Sequence, residues 1–260
     1  MKPLEEAYEV DKEMNKEPIV DIIEMDLIRS ISFYDKVNHD RVKVILLNAA
    51  LEYPINGYYQ GMNYIGIYLQ DFFKDDTKAF HMLCYIAETY LIGNFSMSSG
   101  GFLRLVWMND HLMKIHSPSL WATLDKNEVS SVHFATANIC TLLTCLIKSK
   151  ETWGLVPFIW DLMLARGINY IYDVLVYILD VQKAHIDQIT MDQLLPAMQN
   201  VDSDPFSVLR SAGIKDNSLE KCLGHLTKQN LEKIYYGKST FDSLDQMYQR
   251  HIKDLQNIIP

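Results

Sequence analysis

The chain has 260 residues, 48% of them hydrophobic and 22% charged, with only 11 glycines and 8 prolines. That balance allows a sizeable buried core and excludes both a wholly disordered chain and a loop-rich β-sandwich of this length. The net charge is −9, from 33 acidic and 24 basic side chains, and no dense basic stripe interrupts it. This excludes phosphate-driven nucleic-acid binding and a polybasic membrane-surface segment, and points to protein partners.

In chain order, residues 1–17 are polar and rich in Glu and Lys, and read as a frayed or solvent-facing lead-in. Pro18 opens a helix whose apolar stripe is Ile19, Ile22, Ile23, Leu27 and Ile28. Asp35 to Asp40 form a polar break. A second helix runs from Arg41 to Tyr53 and stops at Pro54. Gly57 to Gly61 read as a short turn, followed by an apolar helix from Met62 to Phe73. Further helices are expected over Thr77–Leu91, Phe102–Ile115, Pro118–Leu124 and Ser131–Ile147, with Ser98 to Gly101 as a flexible connector. Glu151–Arg166 and Asn169–His185 form a pair separated by Gly167, a C-cap. Shorter helices follow over Met191–Gln199, Pro205–Ala212, Ser218–Tyr235 and Ser239–Gln256. Strand alternation bounded by hairpin turns is absent, as is a repeat of fixed period. The expected fold is all-α, in one domain over 18–260.

Two segments carry candidate chemistry. Ile23 to Arg29 spell I-x-x-D-x-x-R, and Gly57 to Asn63 spell G-Y-x-Q-G-M-N. Residues three apart on a helix share a face, so Asp26 can hydrogen-bond the Arg29 guanidinium and hold it in one orientation. An arginine offered to a developing phosphoryl charge works only if it is already positioned. Gly57 and Gly61 bracket Gln60 and permit tight or positive-φ backbone, which presents the amide at a helix start. A glutamine amide both donates and accepts, so it can orient a water and contact a phosphate together. Asp and Arg three apart are, alone, most often a solvated surface pair. Few structural reasons demand two glycines around a glutamine.

The order and separation of these motifs resemble the two signatures of the TBC family of Rab GTPase-activating proteins. Weaker likeness extends from about Asp21 to His185. Leu112 to Leu124, with Pro118 and Leu120, is similar to the family's mid-domain P-x-L helix start. Phe158 to Asp161, followed by Leu162 and Gly167, resembles its I-W-D segment, where Trp160 is expected to pack in the core. The resemblance implies an all-helical domain with a catalytic N-terminal part over about 18–130 and a helical C-terminal part over about 131–260. It implies stimulation of GTP hydrolysis in trans on a GTP-bound Rab-family GTPase, in vesicle trafficking, rather than hydrolysis by this chain alone. By the same resemblance Arg29 is an arginine finger, Gln60 a glutamine finger and Asp26 the group that orients Arg29, while Tyr58 with Gly57 and Gly61 shapes the turn. It implies no cofactor, because GTP and its Mg²⁺ are carried by the GTPase. A cytoplasmic location, peripheral at endomembranes through the GTPase, goes with it. A member without catalytic function would serve as a scaffold binding a GTPase or another protein.

The sequence departs from the family pattern in three places. Only 22 residues precede Ile23, and none fits the G-I-P…L-R…W pattern that usually comes first, so the N-terminal part of the domain is expected to be missing. Asn138 stands where the family usually has Trp, which should alter local packing rather than phosphate chemistry. Ser30 follows Arg29 where Thr is common.

Other chemistry finds no support. Cys84, Cys140, Cys145 and Cys222 show no zinc-like spacing and read as reduced, mostly buried thiols of a cytosolic protein. The charged first residues do not form a signal peptide, and apolar runs such as Ile139 to Ile147 are far short of the ~20 residues that span a bilayer. The sequon at Asn94 carries little weight without a secretory context. His39-Asp40 lacks the partners of a metal-dependent phosphohydrolase, and His81, His111, His116 and His133 read as core or surface residues. No metal site is expected, and no phosphate-binding glycine loop occurs.

Overall fold

The computed structural model describes residues 1–14, 18–30, 37–52, 57–91, 101–146, 153–181, 228–234 and 238–258. Its elements are helices, with no strand among the described residues, as the sequence pattern requires. None of these helices is long and apolar enough to cross a membrane. The chain divides into two compact units, Met1–Ser99 and Gly100–Pro260.

The first unit contains α1 (Leu4–Met14), α2 (Ile19–Ser30), α3 (His39–Glu52), α4 (Met62–Phe73) and α5 (Asp76–Ile86), which ends in a π-turn over Ala87–Leu91. α3 packs against each of the other four helices. Val42, Ile45, Leu46, Leu47, Ala49 and Ala50 are buried along it, each large one stabilising the fold by about 1.5–3 kcal/mol. Gly66 brings α4 close: a Cβ there would meet Leu46 Cδ2 at 2.9 Å. Asp75 caps α5 by accepting the Lys78 N–H at 3.0 Å.

The polar lead-in is helical rather than frayed. α1 buries Ala7 and Asp11, and the Asp11 carboxylate accepts the Val20 N–H at 2.9 Å. A carboxylate on an unsatisfied first-turn amide also suits the positive end of the helix dipole, so α1 supplies α2 with an N-terminal cap. Asn48 on α3 fastens the start of α1 by donating to the Lys2 carbonyl at 2.9 Å.

The second unit contains α6 (Gly101–His116), α7 (Pro118–Lys126), a 3₁₀ turn over Ser131–His133, α8 (Ala135–Cys140), α9 (Leu155–Arg166), α10 (Asn169–Val181), α11 (Lys228–Lys233) and α12 (Lys238–Ile258). α6 packs on α7, α8, α10 and α12, and α9 on α10 and α11. Gly167 ends α9 at φ 94°, its N–H donating to the Met163 carbonyl at 2.7 Å, as its position predicts.

The single helix expected over Ser131–Ile147 is broken. After α8, Leu142 and Leu143 both take positive φ (50° and 68°), a region that costs non-glycine residues energy. The break frees the Leu142 carbonyl, which accepts the Trp160 indole N–H at 3.0 Å. Asn138, which stands where Trp is usual in the pattern described above, is fully buried. Its amide donates to the Phe134 carbonyl at 2.6 Å, and its side-chain oxygen accepts from Cys145 Sγ at 3.4 Å. The helices expected over Met191–Gln199 and Pro205–Ala212, most of Ser218–Tyr235, the 98–100 connector, Asn94 and Cys222 lie outside the described residues.

Candidate functional site

Arg29 lies on the last turn of α2 and its partner one turn behind. Arg29 Nη1 donates to Asp26 Oδ1 at 3.1 Å. Asp26 is 4% exposed, whereas the Arg29 side chain is 48% exposed. The anchor is therefore buried and the cation faces solvent, an arrangement that holds the guanidinium stem without desolvating its tip.

The other carboxylate oxygen belongs to the second motif. The Tyr58 hydroxyl donates to Asp26 Oδ2 at 2.8 Å, across 32 positions of sequence. One ionised group thus accepts from both motifs, and hydrogen bonds to a charge are the strong ones. Burial, and then the Asp26 charge, raise the Tyr58 hydroxyl well above its ordinary pKa, while the Asn63 backbone N–H acts in the opposite direction. Tyr58 remains a protonated donor throughout the neutral range.

Backbone geometry explains how Tyr58 and Gln60 are presented. Gly57 has φ 48°, and a Cβ there would meet Ile19 Cδ1 in ordinary van der Waals contact at 3.7 Å, so the positive φ rather than crowding favours glycine. Gly61 takes φ 110° and ψ −19° at the N-cap of α4 and is buried. Only glycine adopts that backbone readily. Gln60, one residue before this cap, is exposed. It stands at the positive end of α4, where an anion is favoured. The tie from Tyr58 to Asp26 brings this turn against the end of α2 that carries Arg29.

Beneath lies a second link that the sequence reading left without a role. Asn63, 2% exposed, donates through Nδ2 to the Asp26 carbonyl at 3.1 Å and to Ser30 Oγ. Ser30 Oγ in turn donates to the same carbonyl at 2.7 Å. Asn63 Oδ1 is buried and finds no partner among the described residues. A hint was available: an asparagine in the first turn of an otherwise apolar helix needs a polar partner when buried.

All six residues singled out from the sequence, Asp26, Arg29, Gly57, Tyr58, Gln60 and Gly61, thus belong to one locus at the end of α2 and the start of α4. Among the described residues no group of three His, Cys, Asp or Glu side chains could hold a metal ion, and His39 and Asp40 merely begin α3. Cys84 and Cys140 are buried thiols pushed up to about 11 and about 12, chiefly by burial, and are therefore poor nucleophiles.

Comparison with known proteins gives the same direction. The family model described as the Rab-GTPase-TBC domain matches residues 2–186. The chain is also similar to "GTPase-activating protein GYP5" of Saccharomyces cerevisiae, 24% identical over 179 residues. That match covers 68% of this chain and 20% of the yeast protein, so the chain spans about a fifth of the length of this relative.

Proposed function

Because the chain belongs to the Rab-GTPase-TBC domain family, we propose that it stimulates GTP hydrolysis by a Rab-type small GTPase, supplying Arg29 and Gln60 in trans. The observation that carries this reading is the Asp26 carboxylate, which accepts from Arg29 at 3.1 Å and from Tyr58 at 2.8 Å. That shared acceptor accounts for two motifs that separately look like a surface ion pair and a glycine-rich turn.

In this reading the GTPase brings the nucleotide and its Mg²⁺ as substrate. Arg29, held by Asp26, places a guanidinium where charge develops on the transferred phosphoryl group. Gln60, exposed at the α4 start, presents a donor and an acceptor to the attacking water and the phosphate. Asp26 does not itself react: it holds Arg29 in orientation before the partner arrives, which converts a costly ordering step into a prepaid one. Action on a Rab places the protein at endomembranes with its GTPase and gives it a role in vesicle trafficking.

The test is single-turnover GTP hydrolysis by a panel of GTP-loaded Rabs, with the wild type, Arg29→Ala and Gln60→Ala compared. At least one Rab should be stimulated, and an arginine finger is worth roughly 10³–10⁵ in rate, so Arg29→Ala should abolish nearly all of it. Both sites are exposed, so circular dichroism and melting should be unchanged. Stimulation that survives Arg29→Ala would remove that residue from the role. A folded wild type that stimulates no Rab leaves a scaffold that binds without catalysis.

A further inference from the structure

We propose that Asn63 is a positioning residue that fixes the separation of the Arg29 and Gln60 side chains, an inference that rests on the two-finger reading above. Arg29 is borne by the end of α2 and Gln60 by the turn before α4. Their separation is set by how these two helix ends are joined. On α2, Tyr58 bonds the Asp26 side chain. Asn63 holds the main chain itself, through the Asp26 carbonyl 37 positions away and the Ser30 hydroxyl. It stands two residues after the Gly61 cap and three after Gln60, in the first turn of α4. A shift of α2 against α4 that moved one finger relative to the other would have to break both bonds.

The chemistry of the side chain argues that the donor is why an asparagine is there. Asn63 is 2% exposed and flanked by the buried Met62 and Ile65. Its Oδ1 has no partner among the described residues, a burial cost that an apolar side chain of the same size would not carry. The amide orientation follows from its partners, because only Nδ2 can face the Asp26 carbonyl. The Asp26 carbonyl and the Ser30 hydroxyl also bond each other at 2.7 Å, so neither is stripped when Asn63 is replaced. A residue kept only for stability would not combine an unsatisfied acceptor with donors to groups already paired.

The experiment compares wild type, Asn63→Leu and Ser30→Ala in single-turnover hydrolysis over a range of GTPase-activator concentrations, alone and in a Gln60→Ala background. Misplacement of a catalytic group by about 1 Å costs on the order of 10²-fold. Asn63→Leu should therefore lower the maximal stimulated rate by roughly 10- to 100-fold, leaving the half-saturating concentration and the melting temperature near wild type. In the Gln60→Ala background the same substitution should be nearly silent, since no second finger remains to be registered. Ser30→Ala, which strips one acceptor and leaves α4 untouched, should lower the maximal rate several-fold. An unchanged maximal rate in both variants, or the same fold-loss in both backgrounds, overturns the proposal: the first denies any role and the second marks general damage. Should Asn63→Leu unfold, Ser30→Ala in the two backgrounds decides alone. A wild type without stimulation of any GTPase sinks the activator reading and this inference together. A stimulating wild type matched by both variants sinks only the inference.

Discussion

Asp26 offers the sharpest test of how the site works, because two isolated substitutions there separate charge from shape. Asp26→Asn keeps the size and the Arg29 contact: its oxygen can still accept from Arg29, while its amide meets the Tyr58 oxygen as a donor and leaves the Tyr58 proton without its acceptor. The charge is lost as well, and charge-assisted hydrogen bonds are roughly twice as strong as neutral ones, a difference of about 1–1.5 kcal/mol. Arg29 is half exposed, so little of this reaches global stability, for which an exposed pair contributes under ~1 kcal/mol. It should instead appear in the barrier, where about 1.4 kcal/mol is tenfold. Asp26→Ala removes both contacts and leaves the half-buried Tyr58 hydroxyl without its acceptor, which costs a further ~1–3 kcal/mol. At about 2–4 °C per kcal/mol for a domain of this size, that is a clear fall in melting temperature. Single-turnover hydrolysis with a responsive GTPase, beside differential scanning calorimetry, should therefore rank the rates wild type, Asp26→Asn and Asp26→Ala. The last, which loses both contacts, should melt earliest. Wild-type stimulation by Asp26→Asn would refute the claim that the carboxylate charge orients Arg29.

Two further outcomes test the fold. Gly66→Ala places a methyl 2.9 Å from Leu46 Cδ2 between α3 and α4, and overpacking by about 1–3 kcal/mol should exceed the ~1 kcal/mol gain in helix propensity. Gly154→Ala, where a Cβ meets nothing within 4 Å, is the matched control and should be neutral or stabilising; a Gly66→Ala protein more stable than wild type would contradict the close approach. Stability should also show a plateau in pH. His111 and His116 are lowered from 6.5, chiefly by burial, so the unfolded chain binds protons first and stability present above about 6.5 is lost as pH falls. Cys84 and Cys140 are raised from 9.0 to about 11 and about 12, so stability present below about 9 is lost as pH rises through those values. Urea midpoints across this range should fall at both ends, and a midpoint that climbs on acidification would refute the histidine assignment.

The helices and the site were legible to different depths, for physical reasons. The all-α fold follows from apolar spacing, which is local, and so do the turn glycines, because a positive φ selects residue type directly. α1 was missed because its polar surface hides a single useful carboxylate, Asp11, whose target is the Val20 amide of the next helix. The break after Cys140 was illegible because Leu142 and Leu143 favour helix on their own, and what competes is the Trp160 indole 18 positions away. Asp26 and Arg29 were visible as a pair, three apart on one face. That Tyr58 completes the carboxylate, and that Asn63 and Ser30 lie beneath it, depends on how α2 meets α4, which no periodicity encodes.

The bonds that assemble the site also bear on the order in which the chain folds. They close loops of 32 and 37 positions, whereas the Arg104–Asp245 pair in the second unit closes one of 141. On loop entropy alone, closing 32 positions rather than 141 is cheaper by about 1.3 kcal/mol. The α2–α4 junction therefore has the lower entropic barrier, and it lies in the part of the chain that leaves the ribosome first. Pulse-labelled hydrogen exchange should protect amides around Asn63 before those of α12, and the reverse order would refute this. A nascent chain would then join α2 to α4 while its C-terminal helices are still being made.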